Sequence, residues 1–148
     1  MSTLFAFFHH VAAFTLVSAL AVEFVLAGQE LSLASARRLV ITDAVLGGSA
    51  ALLLVIGLLR VFFFEKGASY YFHSHAFMTK LSVFIAVALI SIVPTLEFLS
   101  WRKELRVGQI PSPSASKLRF IRKIIHGELA AVVIILLCAA IMARGGWV

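Results

Sequence analysis

The chain holds a single cysteine, Cys138. No disulfide can form within it, and without a CxxC or CxxCH element a cysteine zinc site and covalent attachment of c-type haem are excluded. Cys138 lies inside the last apolar run and reads as a small packing residue. Acidic residues are few, seven against thirteen Lys and Arg, for a formal net charge of +6. No GxGxxG, P-loop, HExxH or acidic metal signature occurs, so the common nucleotide and metal chemistries have no motif here. Charged residues make up only 14% of the chain, and no polar stretch is long enough for a separate soluble module.

Apolar residues fill that space. They are 61% of the 148 residues, against roughly 45–50% in a soluble domain, and the mean hydropathy is +1.04. An excess of this size cannot be buried in one small globular core, so the solvent is the lipid bilayer. Four runs reach membrane length, at about 4–27, 39–63, 74–99 and 120–143. The first, Leu4 to Ala27, reads as a retained span: it is longer than a signal-peptide core, and no Lys or Arg precedes it. Short connections favour antiparallel neighbours. The expected fold is therefore all-α, an integral membrane antiparallel four-helix bundle forming a single transmembrane domain over residues 1–148. Pro94 falls inside the third run and predicts a kink, with Ser91 placed to satisfy the carbonyl that proline frees. Small residues Gly47-Gly48-Ser49-Ala50-Ala51 suit close helix packing in the second.

Basic residues flank these runs, as topology signals and headgroup contacts, and imply no nucleic acid. Arg37, Arg38, Arg102, Lys103, Arg106, Lys117, Arg119, Arg122 and Lys123 gather at the first and third connections. The other side has only Arg60, Lys66, Lys80 and Arg144. The positive-inside rule then puts both termini outside, together with the Glu65 connection, with Trp147 as an interfacial anchor there.

Sorted by depth, the intramembrane polar residues form two layers. An outer, basic layer holds His9, His10, Arg60, His73, His75 and Lys80; an inner, acidic one holds Glu23, Asp43, Glu97 and Glu128, with His126 near the interface. Ionisable residues in a span are costly and mark functional sites. At about 100° per residue, His9 and Glu23 share a face, as do His73 and Lys80, and Asp43, Gly47 and Ala50. These faces are expected to turn inward. Imidazoles from two helices at one depth suit axial ligation of b-type haem. His9, His10 and His73 are the candidate iron ligands, Arg60 and Arg38 candidate cofactor contacts, and Lys80 the candidate catalytic residue. Ala12, Ala13 and Ala76 leave room for a macrocycle. Blander roles stand beside these: histidines wetted at the interface, Lys80 snorkelling, Glu23 or Asp43 paired with Arg37 or Arg38, and Phe62-Phe63-Phe64 with Tyr70-Tyr71-Phe72 as an interface belt.

The set His9-His10, Ala36-Arg37-Arg38-Leu39 with Asp43, Gly57-Leu58-Leu59-Arg60-Val61, Glu65-Lys66-Gly67, Tyr70-Tyr71, Lys80-Leu81 and Ser91-Ile92-Val93-Pro94-Thr95 resembles a family of small bacterial four-span membrane proteins of unknown function. That resemblance covers nearly the whole chain and implies a multi-pass protein of the bacterial inner membrane. More distantly, the chain is similar to the haem-binding membrane protoporphyrinogen oxidases. Their early histidine, second-helix arginine and His-x-Lys-Leu element fall at His9 or His10, Arg38 and Lys80-Leu81, with Met78 where that element has its histidine. This similarity implies haem b on His9 or His10, with Lys80 assisting a substrate or carboxylate.

Two functions follow as expectations. One is a redox membrane protein that binds b-type haem between helices near the outer face and passes electrons to or from a quinone, porphyrinogen or protein partner. The alternative is a non-enzymatic accessory subunit, or an ion- or lipid-conducting protein without cofactor, working as a homo-oligomer or within a larger membrane complex.

Overall fold

The computed structural model describes residues 2–145 and is helical throughout its regular elements; Trp147 lies outside the described residues. In chain order these are α1 (Ser2–Ala27), α2 (Leu33–Leu59), a π-helical turn (Arg60–Phe64), α3 (Ala68–Phe72), α4 (His75–Ile90), α5 (Ile92–Ser100), α6 (Arg102–Arg106) and α7 (Ala115–Ala143). Four stretches are long and apolar enough to cross a membrane: Thr3–Ala27, Leu33–Phe64, His75–Arg106 and Ala115–Ala143. At 1.5 Å per residue the two of 32 residues run about 48 Å, well beyond a hydrocarbon core of roughly 30 Å, so their ends project or the helices tilt.

Local chemistry sets where the helices begin. Ser32 accepts the Ser35 N–H at 3.1 Å while Ser35 Oγ accepts the Ser32 N–H at 2.8 Å, a reciprocal cap that starts α2 at Leu33, ahead of its apolar run. Ser74 caps α4 by accepting the Phe77 N–H at 3.4 Å, and Ser114 caps α7 through the Lys117 N–H at 3.3 Å. The connection from Trp101 to Lys117 is shorter than its sequence suggests, because Arg102–Arg106 coils into α6 and α7 begins at Ala115.

Around the bundle α1 lies against α2 and α7, α4 lies against α7, and the third span meets α2 through α5. Every neighbouring pair is antiparallel, as short connections require. One end, here the terminal end, carries the start of α1, the end of α7 and residues 65–74. The other, the basic end, carries residues 28–32 and 101–114. Widely exposed side chains such as Phe14, Ile41, Leu89, Leu96 and Val133 are apolar, which fits a lipid-facing surface.

The packed core sits toward the basic end, where Leu20, Leu26, Leu39, Leu46, Phe98, Trp101, Leu105, Ile121 and Ile125 interlock. Phe98 and Trp101 meet edge to face at 5.0 Å between centroids. The helix of the third span is interrupted at Ser91 and again at Trp101, and at Ser91 its ladder continues through Ser91 N–H to Val87 at 2.8 Å and Thr95 N–H to Ser91 at 3.2 Å. The break before Pro94 thus does not end the span. The Ser91 hydroxyl does not serve a freed carbonyl. It donates to Glu128 Oε1, a stronger acceptor with fewer alternatives.

The small-residue group is also placed differently from expectation. Asp43, Leu46, Ser49 and Ile56 form the buried face of α2, whereas Gly47 and Gly48 are exposed with no atom within 4 Å of a Cβ built on either. Burying Asp43 rotates the glycines outward. Among membrane helices the transfer part of a core contact is small, since lipid is as apolar as the core, and the cavity part remains. Phe98→Ala should therefore cost about 2 kcal/mol, from ~100 Å³ of lost side chain at roughly 24 cal/mol per Å³. Gly48→Ala should leave stability unchanged or slightly raised. Unfolding in mixed detergent micelles checks this, and a larger loss at Gly48 than at Phe98 would contradict the packing.

Candidate functional site

Packing is uneven along the bundle, and the unevenness makes a cavity. In the half nearer the terminal end, α1 rests on α2 while α4 rests on α7. Between the two pairs lies a space of about 390 Å³. Its walls are apolar: Leu16 and Val17 from α1, Leu53, Leu54 and Leu58 from α2, Leu81 and Phe84 from α4, and Val132, Ile135 and Met142 from α7. Its polar groups are His9, His10, Arg60, Glu65, Tyr71 and Lys80.

Each polar group is set by its element. His9 comes from the inward face of α1, and its ring lies against Gly57, where an added Cβ would sit 3.4 Å from the imidazole Cε1. That is ordinary van der Waals contact, so the ring packs directly against α2 at this position. His9 Nδ1 is buried without a hydrogen-bond partner. His10 stands at the exposed rim and donates from Nδ1 to the Ala6 carbonyl at 2.6 Å. Arg60 opens the π-helical turn, whose extra residue shifts the register at the end of α2 and is common at functional positions. The guanidinium pairs with Glu65 at 2.5 Å, and its Nε is buried without a partner. Lys80 comes from the first turns of α4. Its Nζ lies 6.0 Å from the Phe77 ring centroid, and among the described residues no carboxylate pairs with it.

Aromatic rings close the terminal end. Phe5 stacks on Phe64 at 4.5 Å, Phe62 meets Phe72 at 6.2 Å, and Phe77 is edged by Tyr71 at 5.3 Å and Phe72 at 5.8 Å. Burial, followed by the Glu65 charge, pushes the Tyr71 phenol up from its ordinary value, so it stays a neutral hydrogen-bond donor beside the cavity.

Of the expected site residues, His9, His10, Arg60 and Lys80 converge on this cavity. His73 and Arg38 are not brought to it. His73 is exposed, donates from Nδ1 to the Ser69 carbonyl at 2.6 Å, and ends α3. A new helix starts after Ser74, so the seven-residue register that would align His73 with Lys80 is lost. Arg38 is exposed on α2, 22 residues from Arg60, or about 33 Å along the helix. Among the expected room-making alanines, Ala12 and Ala76 are buried in helix contacts and Ala13 lines the cavity. Glu65, Tyr71 and Gly57 belong to the site although their sequence signals read as loop, aromatic belt and helix spacer. Only the closeness of Glu65 to Arg60 in sequence could have marked one of them, whereas Phe77 and Phe84 lie on the helix face of Lys80 that the sequence turns inward.

Deeper in the bundle lies the acidic layer. Glu23, Asp43 and Glu128 are buried, from α1, α2 and α7. Thr95 donates to Asp43 Oδ1 at 2.8 Å, Ser91 donates to Glu128, and both Glu23 oxygens lack a partner. The expected pairing of Glu23 or Asp43 with arginine does not occur: Arg37 donates to the Leu105 carbonyl at 3.3 Å and Arg38 faces outward. Glu97 stands apart, paired with Lys117 at 3.0 Å and bonded by Trp101 Nε1 at 3.1 Å. His126 is exposed against Phe24, with centroids 4.7 Å apart. Among the described residues no three His, Cys, Asp or Glu side chains are gathered closely enough to hold a metal ion.

Chemically, the cavity offers cationic and hydrogen-bonding groups at one end and a long apolar wall at the other. It suits a ligand with an acidic group and an apolar body. Comparison with curated proteins and with solved structures found no match, so the similarity to protoporphyrinogen oxidases has no support there. A family model described as "Predicted membrane protein (DUF2214)" does match, over residues 1–146. With four membrane-length helices and a match across nearly its whole length, the chain belongs to that family.

Proposed function

We propose that this protein binds an acidic membrane amphiphile, with its anionic group at Lys80, beside the Arg60–Glu65 pair, and its apolar body along the cavity wall. The observation that carries this reading is Lys80: an ammonium in a membrane-spanning helix, facing an apolar cavity, with no carboxylate partner among the described residues. Such a group is expensive in lipid unless an anion meets it. Arg60 is already balanced by Glu65, which leaves the Lys80 charge for a ligand. The distribution of basic residues supports an orientation with the terminal end outside a bacterial inner membrane, so the ligand would be drawn from the outer leaflet.

Protein purified in mild detergent should retain an acidic amphiphile detectable by native mass spectrometry. A charge-assisted contact is worth about 1.5–3 kcal/mol, so Lys80→Met should weaken retention roughly 10- to 150-fold, and Lys80→Arg should keep part of it. Undiminished retention in Lys80→Met would sink the reading.

A haem-binding reading is favoured by one further observation: His9 lines the cavity, and its buried Nδ1 has no hydrogen-bond partner among the described residues. His9 would hold the iron, and Arg60 and Lys80 would offset the carboxylates of the cofactor; the haem would supply one-electron chemistry. Protein from haem-replete cells should then show a Soret band that shifts on reduction and vanishes in His9→Ala but persists in His73→Ala. Colourless protein would dispose of this reading while leaving the amphiphile reading intact.

A further inference from the structure

The acidic layer is not used by the cavity. Three carboxyl side chains, from three different helices, are enclosed within the packed core, deeper than the cavity. Glu23 has 0% exposure, Glu128 3% and Asp43 6%. Asp43 and Glu128 are the neighbouring charges that act on Glu23. The third span adds two hydroxyls, one on either side of Pro94, Thr95 to Asp43 and Ser91 to Glu128. Both oxygens of Glu23, and Oε2 of Glu128, have no partner.

The charge balance of this layer is incomplete. Facing it are Glu23 from α1, Asp43 from α2, Glu128 from α7, and only hydroxyls from α4–α5. Three basic side chains toward the basic end are engaged elsewhere: Arg37 with the Leu105 carbonyl, Arg122 with the Ala27 carbonyl, and Lys117 with Glu97. Several uncompensated carboxylates in hydrocarbon would cost several kcal/mol each. Some cation must balance them. The three carboxyls are not arranged to share a metal ion. A proton is the cation that needs no shell of ligands, and a protonated Glu23 has a donor to offer where the structure gives it none.

We propose that Glu23, Asp43 and Glu128, with Ser91 and Thr95, form an intramembrane proton-binding site that loads and releases protons. Glu23 is its central member, positioned by α1 two helical turns below Leu16 of the cavity wall. On the other side Leu26, Leu39, Phe98 and Ile125 seal it from the basic end. The site is independent of what occupies the cavity.

Two measurements on the full-length protein in detergent or bilayers test it. Dicyclohexylcarbodiimide, an apolar reagent that modifies protonated carboxyls, should add one adduct, mapped by mass spectrometry to Glu23. Labelling should slow as pH rises, should not be protected by sodium, potassium or calcium, and should fall at least about tenfold in Glu23→Gln. In the unmodified protein, infrared spectra should show a protonated-carboxyl carbonyl band that shifts in deuterium oxide and responds to pH, which needs no variant to fold. Loss of intensity in Glu23→Gln, Asp43→Asn and Glu128→Gln would assign it. Absence of both the adduct and the band would overturn the proposal. Protection by one metal cation would replace the proton with that ion and overturn it equally.

Discussion

In hydrocarbon a polar side chain has no water to return to, and its only partners are those the other helices supply. That constraint sets the rotation of each span here. α1 turns so that His9 and Glu23 both face inward, and its opposite face, with Phe14 exposed, is left to lipid. α2 turns so that Asp43 reaches Thr95, and in doing so it presents Gly47 and Gly48 outward. α7 turns so that Glu128 reaches Ser91. Apolar packing then fills the space these contacts leave, densely around Phe98 and loosely around Lys80.

Much of this was legible in the sequence because it depends on period alone. Four apolar runs gave four spanning helices. A spacing of fourteen put His9 and Glu23 on one face, since four turns of a helix nearly close on that number. Lys80, Arg60 and the double histidine pointed to one end of the bundle, and they do line one cavity. The failures have a shared cause: a period extrapolated across a break. The line from His73 to Lys80 assumed an unbroken helix, but Ser74 prefers to cap and starts a new one. The face Asp43–Gly47–Ala50 was right for its first member only, because the burial of Leu46 and Ser49 fixes a slightly different rotation. Partnerships were harder still. Arginines near buried carboxylates looked like their counter-ions, yet Arg37 and Arg122 satisfy carbonyls at helix ends, which no one-dimensional pattern reveals.

Two departures from regular α-helix organise the site. The π-helical turn after Leu59 carries Arg60 over the cavity and next to Glu65. The break at Ser91, ahead of Pro94, divides the third span into a part that packs on α7 and a part that packs on α2. The same region also supplies the two hydroxyls of the acidic layer. Basic groups and acidic groups are thereby held in separate tiers, with the apolar side chains of Leu16, Leu20 and Leu46 between them. Direct neutralisation of Lys80 by Glu23 or Asp43, the cheapest arrangement in lipid, is prevented by this spacing, and each tier is left to find its compensation elsewhere.

A bundle solid at one end and hollow at the other is also mechanically graded. The packed half around Phe98 has little volume to lose, whereas the half around Lys80 can be squeezed. Lateral pressure in the surrounding leaflet therefore does work mainly on that half, by pressing the α1–α2 pair toward the α4–α7 pair. A ligand held in the hollow would resist that compression. Occupancy of the cavity would in this way be linked mechanically, through the shape of the fold, to the state of the bilayer around it.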